Sequence, residues 1–362
     1  MGIANRRQVH LENDRLRVTL LPGGGHIAAV ELKETGVNPL WDPPWETIDP
    51  SAYDPDAHPQ YGEGFEARLL SGIAGHNLCF DIFGVPSAEE AAAGLGVHGE
   101  GSSVDWEVAS GEGWVKLGAE FPLAGMRFER QLRVAAGSGR VDISETATNL
   151  AGIDRPVGWT QHATLGPPFL EKGKTLFEMS ATRSKVLEGE FAPGADRFVA
   201  GAEFDWPLAP LAAGGLGDMR RAVENEVSGA YTAHLMDPEQ EEAFFAAYHP
   251  GSATLFGYVW KRSDFPWLGI WEENFSRGHK PWNGRTLTCG MEFGASPFPE
   301  TRREAMQRGR LFDEKTIGWV PARSSVRVDY ALFMARARAD QIRGFGSGLG
   351  LDELGRYASG GN

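Results

Sequence analysis

Glu292 stands in the run LTCGMEFGASP, with Leu287, Cys289, Met291 and Phe293 around it. A lone carboxylate in an apolar run is a candidate general base. A buried strand whose glutamate is met by a nearby arginine is an equally open reading of the same residues. Within the 32 residues from Trp267 to Phe298, Trp267, Trp271 and Trp282 offer flat apolar faces, while Asn274, Arg277, His279, Lys280 and Asn283 offer directional polar groups. Aromatic faces with a few placed polar groups are what a small polar ligand needs. The stretch therefore reads as one wall of a carbohydrate site.

Two histidines far upstream extend the set. His98 lies in VHGEG and His162 in PVGWTQHATLG. Imidazole exchanges a proton near neutrality, and a carboxylate opposite it takes the complementary role. Each histidine alone is as readily a hydrogen-bonded core residue. His76, His98, Glu100 and His162 are also metal-ligand types, and His98 with Glu100, two positions apart, would share one face of a strand. A metal-dependent sugar isomerase or lyase-like chemistry stays open on that basis.

Composition removes several classes. With 35 Lys and Arg against 49 Asp and Glu, the chain carries a net charge of −14, which argues against a nucleic-acid backbone as partner. The glycines at 345, 347 and 349 lack a strand-to-helix unit before them, so a dinucleotide fingerprint is not expected. No Walker sequence, paired CxxC or GxSxG elbow occurs. Cys79 and Cys289 allow one disulfide at most, and their apolar contexts favour reduced, buried thiols. The N-terminus shows no leader pattern and the chain has no apolar run of about 18 residues, so no membrane partner and a cytoplasmic location are expected.

The elements that must position these residues are strands. Apolar and polar residues alternate in VKLGAEF, MRFERQLRVAA and GRVDISETATN, the signature of half-buried antiparallel strands. Further strands are expected at 8–33, 174–187, 229–236, 243–249, 252–261, 267–273, 285–293 and 323–335. The count of 47 Gly and 22 Pro fits many turns between them. The segment Val37 to Tyr61, with Trp41 and Trp45, reads as a long loop that packs on one sheet or covers a site. One helix is expected, Pro299 to Asp313, and a short helical turn near Ser87 to Ala93. The prediction is a single all-β domain over residues 1–343, with a flexible tail from 344 to 362.

In four places the chain resembles the galactose mutarotase-like superfamily, which holds the aldose 1-epimerases and hexose-6-phosphate 1-epimerase-like proteins. AGHNLCFDIFG (74–84) and VHGEGSSVDWEV (97–108) are similar to that family's glycine-rich strand and its histidine-glycine pair. VDISETATNLAGIDRPVGWTQHATLG (141–166) resembles the strand, turn and strand that carry its second histidine. LTCGMEFGASP (287–297) resembles its glutamate strand.

The resemblance implies a β supersandwich and an aldose 1-epimerase reaction needing neither metal nor organic cofactor. It implies Glu292 as general base on the anomeric hydroxyl, His162 as general acid on the ring oxygen, and His98 as the group that binds or polarises that oxygen. The family's substrate-binding arginine is absent near position 75, where His76 and Asn77 stand. Those two, with Trp271, Asn274, His279 and Trp282, are the expected substrate contacts. Glu100 replaces the arginine of the hexose-phosphate branch and would repel a phosphate, so an unphosphorylated sugar is expected. The missing arginine also leaves open a carbohydrate-binding or sensing protein without catalysis.

Overall fold

The structure is a computed structural model that describes residues 2–342, 344–345 and 351–358. Two large antiparallel sheets face each other. The first has ten strands in the order Val9–Glu12, Leu16–Leu21, His26–Leu32, His76–Cys79, Thr160–Leu165, Leu287–Gly294, Trp267–Asn274, Ser228–Met236, Ala181–Val186 and Glu203–Asp205. The second has eight, in the order Leu176–Met179, Glu242–His249, Thr254–Lys261, Ser325–Arg336, Arg140–Asn149, Met126–Val134, Trp114–Phe121 and Glu107–Gly111. This is the all-β sandwich that the alternating pattern predicts. Met126–Val134 and Arg140–Asn149 bury every second residue, as strands with one wet face must.

The middle of the ten-stranded sheet behaves differently. Thr160–Leu165 and Trp267–Asn274 are buried at every position, because one face meets the other sheet and the opposite face lies under loops and short helices. The second face is where the site forms.

The helices depart from expectation in length. Pro299–Asp313 contributes only Arg302–Arg308, opened by a reciprocal capping box between Thr301 and Glu304. Gly309, at φ 66°, stops it in the left-handed region, and Arg310–Leu311 then pairs with Glu314–Lys315 as a small hairpin. Ser87 and Glu90 form a second capping box at Ala88–Ala92. Ala67–Gly72 is a further helix that the sequence pattern did not suggest. Residues 346–350 and 359–362 of the expected tail lie outside the described residues. Between them, Leu351–Ala358 is a helix, and Leu354 and Tyr357 join the apolar cluster of Tyr248 and Phe333. No helix of the described residues is long and apolar enough to cross a membrane.

Between the sheets lies a buried polar network. Arg130 Nε donates to Glu145 Oε1 at 2.6 Å, and Tyr330 Oη donates to the same oxygen at 2.8 Å. Glu145 Oε2 accepts from Gln161 Nε2 at 2.6 Å and from the Trp159 indole at 3.0 Å. His76 bridges Gln161 Oε1 at 2.9 Å and Tyr258 Oη at 2.8 Å. Burial, and then the nearby Arg130 guanidinium, hold His76 well below the usual imidazole range, so it is a neutral member of the network. Removing one partner of a buried ion pair strands the other charge in a dry interior. We expect Arg130→Met to lower the unfolding free energy by about 3–5 kcal/mol in urea titration. A loss below about 1 kcal/mol would mean that the network carries little of the stability.

Candidate active site

Four neighbouring strands build the floor of the site. In their register His162 faces Asn77 on one side and Glu292 on the other, and Glu292 faces Gly269 on its far side. Strand alternation sends His162, Thr164 and Glu292 to the outer face, and Gln161, Met291 and Phe293 to the inter-sheet core. The apolar neighbours that frame Glu292 in the sequence therefore lie behind the sheet. Its companions on its own face are His162, Trp271, Tyr231 and two glycines.

His162 Nε2 lies 2.9 Å from Glu292 Oε1, and the other ring nitrogen, Nδ1, lies 2.9 Å from Thr164 Oγ1. The approach of His162 to Glu292 lacks hydrogen-bond geometry, and Glu292 Oε1 has no hydrogen-bond partner among the described residues. No arginine of the described residues pairs with Glu292, so among them the alternative of a structural glutamate paired with arginine finds no partner. An unspent carboxylate oxygen beside an imidazole can accept a proton or hydrogen bond from a ligand hydroxyl.

Gly269 and Gly290 keep that space open. A Cβ at Gly269 would collide with Tyr231 Oη, and one at Gly290 would come within 2.5 Å of Glu292 Oε1. Tyr231 Oη donates to the Pro297 carbonyl at 3.2 Å. Burial, then the Glu292 carboxylate, push the Tyr231 phenol well above its usual range, so it stays protonated.

His98 arrives from outside the sheet. It sits at φ 63° followed by Gly99 at φ 77°, two successive left-handed residues in a tight turn. The turn is pinned by Phe80 N–H on the His98 carbonyl at 3.0 Å and by His98 N–H on the Gly84 carbonyl at 2.9 Å. Gly99 is required, since a Cβ there would strike the Phe80 carbonyl. The His98 ring lies edge to face on His162 with centroids 5.4 Å apart. Burial first, then the neighbouring His162 and Arg277, hold His98 well below the usual imidazole range. It is therefore a neutral ring.

These groups line a cleft of about 230 Å³ together with Trp271, Trp282, Arg277, Leu69, Leu70 and Glu66. Trp282 closes one wall, edge to face on Trp271 at 5.9 Å and stacked on Trp41 at 5.9 Å. Trp45 adds a further edge contact to Trp282 at 5.2 Å. The Val37 to Tyr61 segment thus supports the wall from behind.

Of the expected contacts, His98, His162, Glu292, Trp271 and Trp282 converge on this cleft and four residues do not. His76 is one position out of phase and belongs to the inter-sheet network. Asn77 shares the face of His162 but is covered, its amide donating to Ser102 Oγ at 3.3 Å. Asn274 is fully buried on Ser228 and Asn225, and His279 is exposed beyond the wall. Glu100 also turns away. It accepts the Ala124 N–H at 2.8 Å, because the turn at His98 breaks the strand alternation that would have aligned the two side chains. The proposed metal set of His76, His98, Glu100 and His162 is therefore not assembled, and Glu100 is not placed to repel a phosphate. Arg277, one of the polar groups read in the wall, does line the cleft, and Tyr231 and Glu66 enter it without having been assigned to it. Tyr231 is traceable only through its register opposite Trp271.

No family model and no curated protein sequence matches the chain. Solved structures do. A candidate aldose 1-epimerase from Klebsiella pneumoniae subsp. pneumoniae aligns over 95% of this chain and 81% of its own at TM-score 0.66 and 15% identity. A galactose mutarotase-like protein from Clostridium acetobutylicum aligns over 93% and 97% at TM-score 0.60 and 12% identity. The fold is galactose mutarotase-like. A candidate aldose 1-epimerase from Escherichia coli K12 covers 91% of this chain and 99% of its own at TM-score 0.60 and 11% identity. Such identities speak for the shared galactose mutarotase-like fold and leave the chemistry to the residues themselves.

The glycine at the floor gives a direct test. Gly269→Ala should drive Tyr231 from its place beside Glu292 and lower stability by about 1–3 kcal/mol in urea titration. A crystal structure of the variant with Tyr231 unmoved, at unchanged stability, would refute the role given to this glycine.

Proposed function

We propose that the protein is an aldose 1-epimerase-like enzyme that interconverts the anomers of a monosaccharide by general acid/base catalysis. The observation that carries this reading is the His162 and Glu292 pair, 2.9 Å apart on the cleft floor with Glu292 Oε1 unspent. Anomer exchange by ring opening requires a base at the anomeric hydroxyl and an acid at the ring oxygen. Both oxygens are bonded to one carbon, so the two catalysts must themselves be close neighbours.

In this reading Glu292 removes the proton of the anomeric hydroxyl as the carbonyl forms. His162 delivers a proton to the ring oxygen as its bond to the anomeric carbon breaks. Rotation about the first carbon-carbon bond presents the other face of the aldehyde, and reclosure runs the two transfers in reverse. His98, neutral and resting edge to face on His162, is suited to hydrogen-bond the ring oxygen without competing for its proton. Trp271 and Trp282 supply the apolar faces against which a pyranose stacks, and the size of the cleft favours a single ring over an oligosaccharide.

Polarimetry, or proton NMR of freshly dissolved single anomers across a panel of aldoses, tests this. Equilibration of at least one aldose should be faster than in buffer alone, and Glu292→Gln should slow it by about 10³-fold. Sugar binding without any acceleration would instead favour a carbohydrate-binding protein. An unaffected Glu292→Gln would remove the catalytic role of this carboxylate.

A further inference from the structure

Arg277 is the cation of the cleft that the acid/base reading does not use. It sits on the loop after Trp267–Asn274, and that loop is folded around Glu273. The buried Glu273 carboxylate accepts from Ser276 N–H at 2.7 Å, Ser276 Oγ at 2.7 Å and Arg277 N–H at 3.0 Å. Its oxygens are thereby largely spent on backbone and hydroxyl, leaving the Arg277 side chain one contact, from Nε at 3.4 Å. The two terminal nitrogens of the guanidinium have no hydrogen-bond partner among the described residues. Its carbon lies 5.0 Å from the Trp282 ring centre, 5.4 Å from Trp271 and 5.8 Å from Phe191. Three aromatic rings hold the group in place, and Glu273 meets it only at Nε. Its field reaches His98, one of the causes that keep that imidazole unprotonated. The indole N–H groups of Trp271 and Trp282 also lack acceptors among the described residues. This end of the cleft is rich in unspent donors.

We propose that Arg277 is a specificity-determining residue, and that the substrate is an aldose bearing a carboxylate away from its anomeric carbon, a uronate. The inference rests on the epimerase reading and narrows its substrate class. A planar guanidinium with free terminal nitrogens matches a carboxylate through two parallel hydrogen bonds. A phosphate dianion fits less well, for charge rather than for space. The cleft offers it one cation while Glu292 and Glu66 also line the walls, and His279 and Lys280 are exposed outside. A neutral hexose would leave the two terminal nitrogens of the guanidinium without a carboxylate to bridge, since Glu273 meets only Nε.

The test compares anomer exchange of glucuronate and galacturonate with glucose, galactose and their 6-phosphates, by proton NMR, in the parent protein and in Arg277→Leu and Arg277→Lys. The uronates should show a kcat/KM about 100-fold above the matching neutral hexoses, as expected for a desolvated charge pair. In Arg277→Leu that ratio should fall to near one, and Arg277→Lys should recover only part of it because an ammonium lacks the fork. A preference for neutral or phosphorylated sugars, or a ratio unchanged in Arg277→Leu, overturns the proposal. If no sugar exchanges, the epimerase reading has failed by itself, and calorimetric titration with glucuronate decides this one. Saturable binding lost in Arg277→Leu supports it, and absence of binding to the parent protein overturns it.

Discussion

The two-residue period of a β-strand governs this molecule, because the strands at the centre of the larger sheet are buried on both faces and each face has a separate task. Gln161 and His162 are adjacent in sequence, yet one closes a network with Arg130 and Glu145 between the sheets and the other faces Glu292 in the cleft. Phe293 and Glu292 divide in the same way. A shift of one residue in the pairing of Thr160–Leu165 would exchange the two sets, putting the imidazole in the core and the amide in the cleft. The inter-sheet network makes such a slip costly, since it would take Gln161 and its hydrogen bonds away from the buried Arg130 and Glu145 ion pair. Packing on one face thereby fixes the chemistry on the other.

The outer face owes its shape to missing side chains as much as to those present. Gly269 and Gly290 leave the volume that Tyr231 and the Glu292 carboxylate occupy, and Gly99 lets the His98 turn dock on the Phe80 carbonyl. The aromatic wall is layered, with Trp41 and Trp45 behind Trp282 and Trp271 against His162 at 5.6 Å. Indole rings so braced present a firm surface to a ligand.

The two-sheet architecture was legible wherever one face of a strand is wet, as in Met126–Val134 and Arg140–Asn149, where burial alternates. It was least legible at the centre, where uniform burial erases the alternation. That is why His76 and Asn77, both at the position of the missing arginine, looked equally suited to bind a ligand, although pleat and cover take both away from it. His98 with Glu100 failed for a different reason, since a left-handed turn obeys no strand period. His98, His162 and Glu292 were found through short motifs similar to a known family, and their convergence depends on pairings more than a hundred residues apart. Arg277 was visible as a charge, but its aim is set by a loop wound around Glu273, which no local pattern announces.

The loop that carries Arg277 and the strands that carry His162 and Glu292 differ in how firmly the chain holds them. The strands are hydrogen-bonded on both sides within a ten-stranded sheet, a position from which amide hydrogens exchange only on deep unfolding. The loop touches the cleft from its rim, wound on the Glu273 carboxylate, closed by the Gly284 N–H on the Arg277 carbonyl at 2.8 Å and packed through Trp282 on Trp41, and it lies outside the strand ladder. In the proposed function, proton transfer and ligand choice thus fall to parts of the chain with separate local stabilities. On that proposal, insertions or substitutions in residues 275–286 would retune the ligand while His162 and Glu292 stay in register, and a scaffold divided in this way would acquire new substrates without rebuilding its reaction.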